Sequence, residues 1–242
     1  MYDSFPMVPG YRMLLTCFLL FPFLLFAQTS LQPGDLAVVG LAANIGDGSG
    51  VDCNEAAGTD ELILVAFRDI ETGTALDITD NGWERSNAGL WGNQEGFVRM
   101  TRTGPTIPAG QLIRFHFPPS GNAYLAFSPD AGWTFEDMGT TAVNFNSNGD
   151  QLFFLQGGIW DNGTSGGDDA AYSDGKLLFA FNSRQDWLPF QQQATDSGLP
   201  AVLEGCYAIQ SGIEGSDFVA YAGDTTTADR IAWLSRLHDP SN

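Results

Sequence analysis

The chain is poor in positive charge. Lysine and arginine together supply only 10 of its 242 residues, against 29 aspartates and glutamates, so the formal net charge is −19. A surface this acidic repels nucleic acid phosphates and anionic lipid, which excludes both classes of partner. It attracts divalent cations, although the same excess of acid also serves solubility alone.

Cysteine and histidine are also scarce, with three and two residues respectively. There is no C-x-x-C pair and no H-E-x-x-H sequence, so the residue types that hold zinc lack their usual spacing. We therefore predict a protein that is not an enzyme and that has either no cofactor or a structural Ca²⁺.

Long apolar runs are absent apart from one near the start. Residues 14–26 follow Arg12, precede Ala27-Gln28 and number 13. This length suits the core of a signal peptide and falls short of the roughly 20 residues that a membrane-spanning helix needs. We predict that residues 1–27 are a signal peptide, and that the mature protein is secreted or lies on the cell surface without a membrane span.

Removal of that segment leaves two cysteines, Cys53 and Cys206. An even pair in an oxidising compartment predicts a disulfide. Two separate free thiols are the alternative.

The remaining sequence consists of short apolar or alternating runs separated by Gly, Pro, Asn and Asp clusters, a pattern typical of strands and turns. Nine strands and no long helix predict an all-β, antiparallel β-sandwich. The predicted strands are residues 35–41, 61–67, 75–79, 97–102, 111–117, 151–155, 177–181, 206–210 and 217–221.

One short C-terminal helix is predicted over residues 228–237, with Thr227 as its cap and Pro240 after its end. We assign residues 32–242 to a single domain, because no linker or repeat divides them. The chain stops without a terminal strand, so we expect it to be cut from a longer protein.

Five segments follow one another along the chain: residues 34–40 (GDLAVVG), 61–67 (ELILVAF), 76–83 (LDITDNGW), 107–110 (IPAG) and 149–154 (GDQLFF). Their order resembles the lamin-tail domain and secreted proteins of Bacteroidetes-type bacteria. The resemblance implies an Ig-like sandwich and extracellular display, adhesion or attachment to a larger secreted protein. The chain departs from the pattern by an extra acid and amide before Trp83.

A calcium site is one interpretation of the acids near the third predicted strand. Asp77, Asp80 and Asn81 offer the oxygen ligands that Ca²⁺ prefers. The alternative is an Asx turn in which Asp80 accepts backbone N–H groups to hold the turn at Asn81. The acidic loop at residues 47–55, together with Asp150, Asp168 and Asp169, offers further oxygens that solvated loops also carry.

A carbohydrate-binding face is an alternative function. Trp83 and Trp91 supply rings that stack on sugars, while Glu84, Asn93 and Glu95 supply groups that bind hydroxyls. Buried tryptophans that plug the core are the competing interpretation. A third function is part of an extracellular hydrolase, with Glu84 and Glu95 as acid and base.

The predicted function is therefore a secreted, noncatalytic display or adhesion domain, stabilised by Ca²⁺ if the acids bind it. Its predicted partner is an extracellular polymer, either glycan or protein.

Overall fold

A computed structural model describes residues 28–45, 59–84, 89–117, 131–145, 149–164, 167–184, 186–188, 196–210, 218–224 and 229–238. The predicted signal peptide, residues 1–27, lies outside these ranges. The described residues form 14 strands, one α-helix and one 3₁₀ helix. The all-β prediction is confirmed at this level.

The strands are β1 (Leu36–Ile45), β2 (Thr59–Ala66), β3 (Ala75–Thr79), β4 (Trp83–Glu84), β5 (Leu90–Trp91), β6 (Phe97–Arg102), β7 (Leu112–Phe117), β8 (Trp133–Asp137), β9 (Gln151–Gln156), β10 (Ile159–Asp161), β11 (Ala170–Ser173), β12 (Lys176–Asn182), β13 (Ala208–Gln210) and β14 (Phe218–Ala220). The 3₁₀ helix is Ala201–Leu203, and the α-helix is α1 (Arg230–Leu237).

The strands form three sheets. A six-stranded sheet has the order β13-β12-β9-β3-β6-β8, and two four-stranded sheets have the orders β14-β1-β2-β7 and β10-β11-β5-β4. Strands β12 and β13 pair in parallel, and the other ladders between described strands are antiparallel.

The six-stranded sheet packs on both of its faces. Along β9, Leu152 and Phe154 join the core shared with β1, β2 and β7, whereas Phe153 and Leu155 join a second core with the small sheet. Successive side chains of a strand point to opposite faces, so a strand covered on both sides needs a continuous apolar run. All six residues of β9 are accordingly buried.

All nine predicted strands are present, as β1, β2, β3, β6, β7, β9, β12, β13 and β14. Five further strands of two to five residues were not predicted, namely β4, β5, β8, β10 and β11. Strands β4 and β5 have two residues each, which is too few to show an alternation.

The predicted C-terminal helix is confirmed, with a later start and a different cap. Asp229 is the N-cap, and its Oδ1 accepts a hydrogen bond of 2.9 Å from the backbone N–H of Ala232. The predicted cap, Thr227, lies outside the described residues. Helix α1 buries Leu234 in the core that the six-stranded sheet shares with β1, β2 and β7.

Candidate metal centre

Three acidic side chains come from three neighbouring strands of the six-stranded sheet. Strand β3 lies between β6 and β9 and runs antiparallel to both. Asp80 directly follows β3, Glu95 lies just before β6, and Asp150 directly precedes β9. Because the end of one antiparallel strand lies beside the starts of its neighbours, all three acids meet at one end of the sheet.

The carboxylates form a compact cluster. Asp80, Glu95 and Asp150 each offer one oxygen, and these atoms all lie within 4.8 Å of one another. Ca²⁺ binds oxygen at about 2.3–2.6 Å, so ligands on opposite sides of one ion are about 5 Å apart. Asp80 and Asp150 are buried and Glu95 is partly buried. The spacing therefore fits one divalent cation between the three groups.

Backbone hydrogen bonds fix the Asp80 carboxylate. Its Oδ1 accepts from the N–H of Gly96 at 2.6 Å, and its Oδ2 accepts from the N–H of Asn144 at 2.9 Å. The side-chain amide of Gln151 donates to the carbonyl of Asp80. A carboxylate has about four acceptor positions, so each oxygen keeps capacity for a cation.

Asn81 holds the segment that carries Glu95. Its Nδ2 donates to Thr79 Oγ1 at 3.0 Å and to the carbonyl of Gly96 at 2.9 Å, while its Oδ1 accepts from the N–H of Glu95 at 3.0 Å. These bonds tie residues 95–96 to the end of β3. Asn81 is therefore a positioning residue beside the cluster.

The position of Asp150 depends on the preceding residue, Gly149, whose backbone conformation favours glycine. Gly149 has φ +86°, and a Cβ there would lie 2.5 Å from the Cα of Arg184. The N–H of Asp150 donates to Ser183 Oγ at 2.9 Å, and its carbonyl accepts from the N–H of Ser183 at 2.8 Å. Substitution of Gly149 would therefore displace Asp150 from the cluster.

Burial and mutual repulsion disfavour the ionised cluster. Burial raises the pKa of Asp80 well above its usual value, and the nearby charge of Glu95 raises that pKa further, while the N–H groups of Asn144 and Gly96 lower it. Burial likewise raises the pKa of Glu95 to about 7. A bound divalent cation would favour the ionised carboxylates and would lower the pKa values of Asp80 and Glu95.

The predicted ligand set, Asp77, Asp80 and Asn81, does not form as one group. Asp77 lies at the other side of the strand, where Arg99 binds it through Nε at 2.6 Å and Nη2 at 2.8 Å. The hydroxyl of Tyr172 donates to Asp77 Oδ2 at 2.9 Å. Asp77 is therefore the acidic member of a structural ion pair, away from Asp80.

The Asx-turn alternative also needs correction. The two N–H groups that Asp80 accepts from other segments belong to Gly96 and Asn144, so the side chain connects distant parts of the chain. The turn itself is held by Thr79, whose Oγ1 accepts from the N–H of Asn81 at 3.1 Å.

Both tryptophans of the predicted carbohydrate-binding face are buried. Trp83 is 9% exposed and Trp91 is 2% exposed, and both belong to the second core. The ring of Trp91 lies 4.9 Å from that of Phe153 in an edge-on contact. Rings packed in this way offer no face to a sugar, so the carbohydrate-binding alternative loses its main support.

The polar residues predicted for that face have different surroundings in the structure. Glu84 is buried on β4, whereas Glu95 joins Asp80 and Asp150. Asn93 is buried, and its Nδ2 donates to the carbonyls of Asn162, at 2.9 Å, and Thr164. The interpretation of Glu84 and Glu95 as a hydrolase pair gains no geometric support from these positions.

The predicted disulfide is not formed in the structure. Cys206 is a free, exposed cysteine following the 3₁₀ helix. Cys53 lies outside the described residues, as does the acidic loop at residues 47–55.

The assembled site differs from the predicted one by two residues. The sequence indicated Asp80 as a ligand and Asp150 as either a ligand or a solvated loop residue. It indicated Glu95 as a sugar contact or a hydrolase residue. The sequence feature that could have identified the site is that Asp80 and Asp150 directly flank buried strands. Which strands are neighbours was the missing information.

Comparisons of the chain with family models, curated proteins and solved structures gave no significant match. Among the described residues, no helix has the length and apolar character that crossing a membrane requires.

Proposed function

We propose that this protein is a secreted, noncatalytic display or adhesion domain of Ig-like, lamin-tail-like character, stabilised by one Ca²⁺ ion. Asp80, Glu95 and Asp150 are the proposed ligands. The observation that supports the metal is the convergence of three carboxylates, two of them buried, at the end of three adjacent core strands.

The donor set favours calcium over softer metals. All three side chains are carboxylates, which suit hard cations such as Ca²⁺ and Mg²⁺. Ca²⁺ tolerates irregular geometry, whereas Mg²⁺ demands a near-ideal octahedron and gives up water reluctantly. A cluster whose members are fixed by separate strands supplies irregular geometry more readily than an octahedron.

The position of the cluster favours a stabilising role. It joins the end of β3 to the segments that enter β6 and β9. An ion there links three adjacent strands and relieves repulsion between buried like charges. Extracellular calcium modules bind with Kd values of about 10⁻⁴–10⁻³ M, which suits the secreted compartment predicted from the sequence.

The test is thermal unfolding of the mature domain in millimolar Ca²⁺ and in EDTA. Binding to the folded state alone adds RT ln(1 + [L]/Kd), about 1.4 kcal/mol at a tenfold excess of calcium over Kd. We expect Tm to rise with Ca²⁺ in the wild type and to be insensitive to Ca²⁺ in D80N and D150N.

The matched control is D168N, which removes one carboxylate from an exposed position. We expect this variant to keep the calcium response of the wild type. Equal Tm values in Ca²⁺ and EDTA for the wild type would contradict the proposal. A rise of Tm with Ca²⁺ in both D80N and D150N as large as in the wild type would also contradict it.

A further inference from the structure

The outer face of the sheet β14-β1-β2-β7 carries an apolar pocket of about 390 Å³. The face of an antiparallel sheet that turns away from the core is commonly polar. Here Ile63 and Leu112 line the pocket, and Leu112 is 54% exposed. This departure from the usual alternation marks the face as a candidate binding surface.

Small residues make room at the floor of the pocket. Gly40 on β1 pairs with Ala220 on β14 and with Ile63 on β2. A Cβ at Gly40 would lie 3.1 Å from the side chain of Ile63, which also lines the pocket. The side chain of Ile63 therefore packs over Gly40, and a larger residue at position 40 would have to displace it.

Two aromatic residues, Tyr221 and Trp233, form a wall of the pocket. Their ring centroids are 5.6 Å apart, and Phe67 lies 6.3 Å from the ring of Trp233. The guanidinium of Arg236 lies 5.8 Å from the centre of the Trp233 ring. The indole is thus held by contacts outside the pocket.

Asp224 connects the two sides of that wall. Its carbonyl accepts from the hydroxyl of Tyr221 at 3.0 Å and from Nη1 of Arg236 at 3.1 Å. Its carboxylate also pairs with Nη2 of Arg236 at 3.2 Å. A wall fixed before binding reduces the entropy lost when a ligand is held.

The charged side chain that lines the pocket gives a charged ligand little compensation. Glu61 lines the pocket and forms an ion pair of 2.7 Å with Arg114, so each of these charges already has a partner. The net charge of −19 further disfavours anions. We propose that this pocket binds an uncharged apolar small molecule.

The size of the pocket supports a small molecule over a protein. Ligand pockets usually have volumes of about 300–1,000 Å³, and this one lies within that range. A stable protein partner covers about 800 Å² of surface on each side, which a single pocket does not provide. A neutral ligand would place its apolar part between the aliphatic floor and Trp233.

The test uses the neutral fluorophore N-phenyl-1-naphthylamine, titrated with the mature domain. We expect saturable binding at one site per chain. A220F should weaken binding at least about tenfold, because the ring fills the pocket from an exposed position. The matched control, A201F, makes the same change at an exposed alanine of the 3₁₀ helix and should alter affinity by less than about twofold.

Competition identifies the charge preference. We expect 1-decanol to displace the fluorophore at a concentration at least about tenfold below that of decanoate or decylammonium. If A220F fails to fold, judged by its thermal transition, L112Q replaces it at the rim and should weaken binding about threefold or more.

Three results would overturn the proposal: no saturable binding, unchanged affinity in the pocket variant, or preference for a charged competitor. Sedimentation tests a different occupant. A wild type that self-associates and an A220F variant that is monomeric would make this face an interface between copies of the chain.

Discussion

Asp77 and Asp80 lie three residues apart, and both are buried, yet their surroundings are opposite. Asp77 meets the guanidinium of Arg99 and the hydroxyl of Tyr172, so its charge is compensated within the protein. Asp80 meets two further carboxylates. The comparison shows that burial alone does not determine the role of an acidic side chain. The groups that surround its carboxylate determine that role.

The largest expected effect on stability comes from removing the guanidinium of Arg99, which compensates the charge of Asp77. R99M leaves Asp77 buried without its cation, and such a change costs about 3–5 kcal/mol of unfolding free energy. The control, R114M, removes an arginine that is 54% exposed in its pair with Glu61 and should cost about 0–1 kcal/mol. Urea denaturation measures both. Similar losses in the two variants would show that the Asp77 pair is no stronger than a surface ion pair.

The sequence predicted the strands better than the site, and Asp77 and Asp80 show why. Adjacent side chains of a strand alternate between its faces, so residues three apart diverge unless a turn intervenes. Grouping them with Asn81 relied on nearness in sequence. The observed partners of Asp80, namely Glu95 and Asp150, are brought close by the pairing of β3 with β6 and β9.

Strand order is not encoded in local patterns. The run at residues 152–155 identifies β9 because its apolar side chains fill two cores, but nothing in that run states that β3 is its neighbour. The same limit applies to β4 and β5, which are two residues each and owe their strand geometry to tertiary pairing. Trp83 and Trp91 are buried at that pairing, which agrees with the competing interpretation of the sequence, in which tryptophans plug the core.

The second effect concerns pH in the metal-free protein. Burial raises the pKa of Glu95 from 4.5 to about 7 in the folded state. Between these values folded Glu95 binds more protons than Glu95 in the unfolded chain, so its contribution to stability is fully present below pH 4.5 and is lost as the pH rises through about 7. The contribution is on the order of 3 kcal/mol.

Urea denaturation in EDTA across this pH range measures the decline, and E95Q should reduce it while D168N should not. Saturating Ca²⁺ should flatten the wild-type profile, because the cation binds the ionised cluster. A metal-free wild type whose stability increases between pH 4.5 and 7 would contradict the raised pKa of Glu95.

The smallest expected effect, that of E95Q, distinguishes most sharply between the carboxylate cluster and the Asp77–Arg99 ion pair. At pH 8 in EDTA, E95Q removes an ionised carboxylate that burial disfavours, so we expect it to raise the unfolding free energy by about 1–2 kcal/mol. In saturating Ca²⁺ the same variant lacks a ligand and should be less stable than the wild type. D77N, which weakens the pair with Arg99, should lower stability in both conditions. A cation site therefore predicts a change of sign with calcium for E95Q alone, whereas a purely structural acid cluster predicts the same sign for E95Q in EDTA and in Ca²⁺.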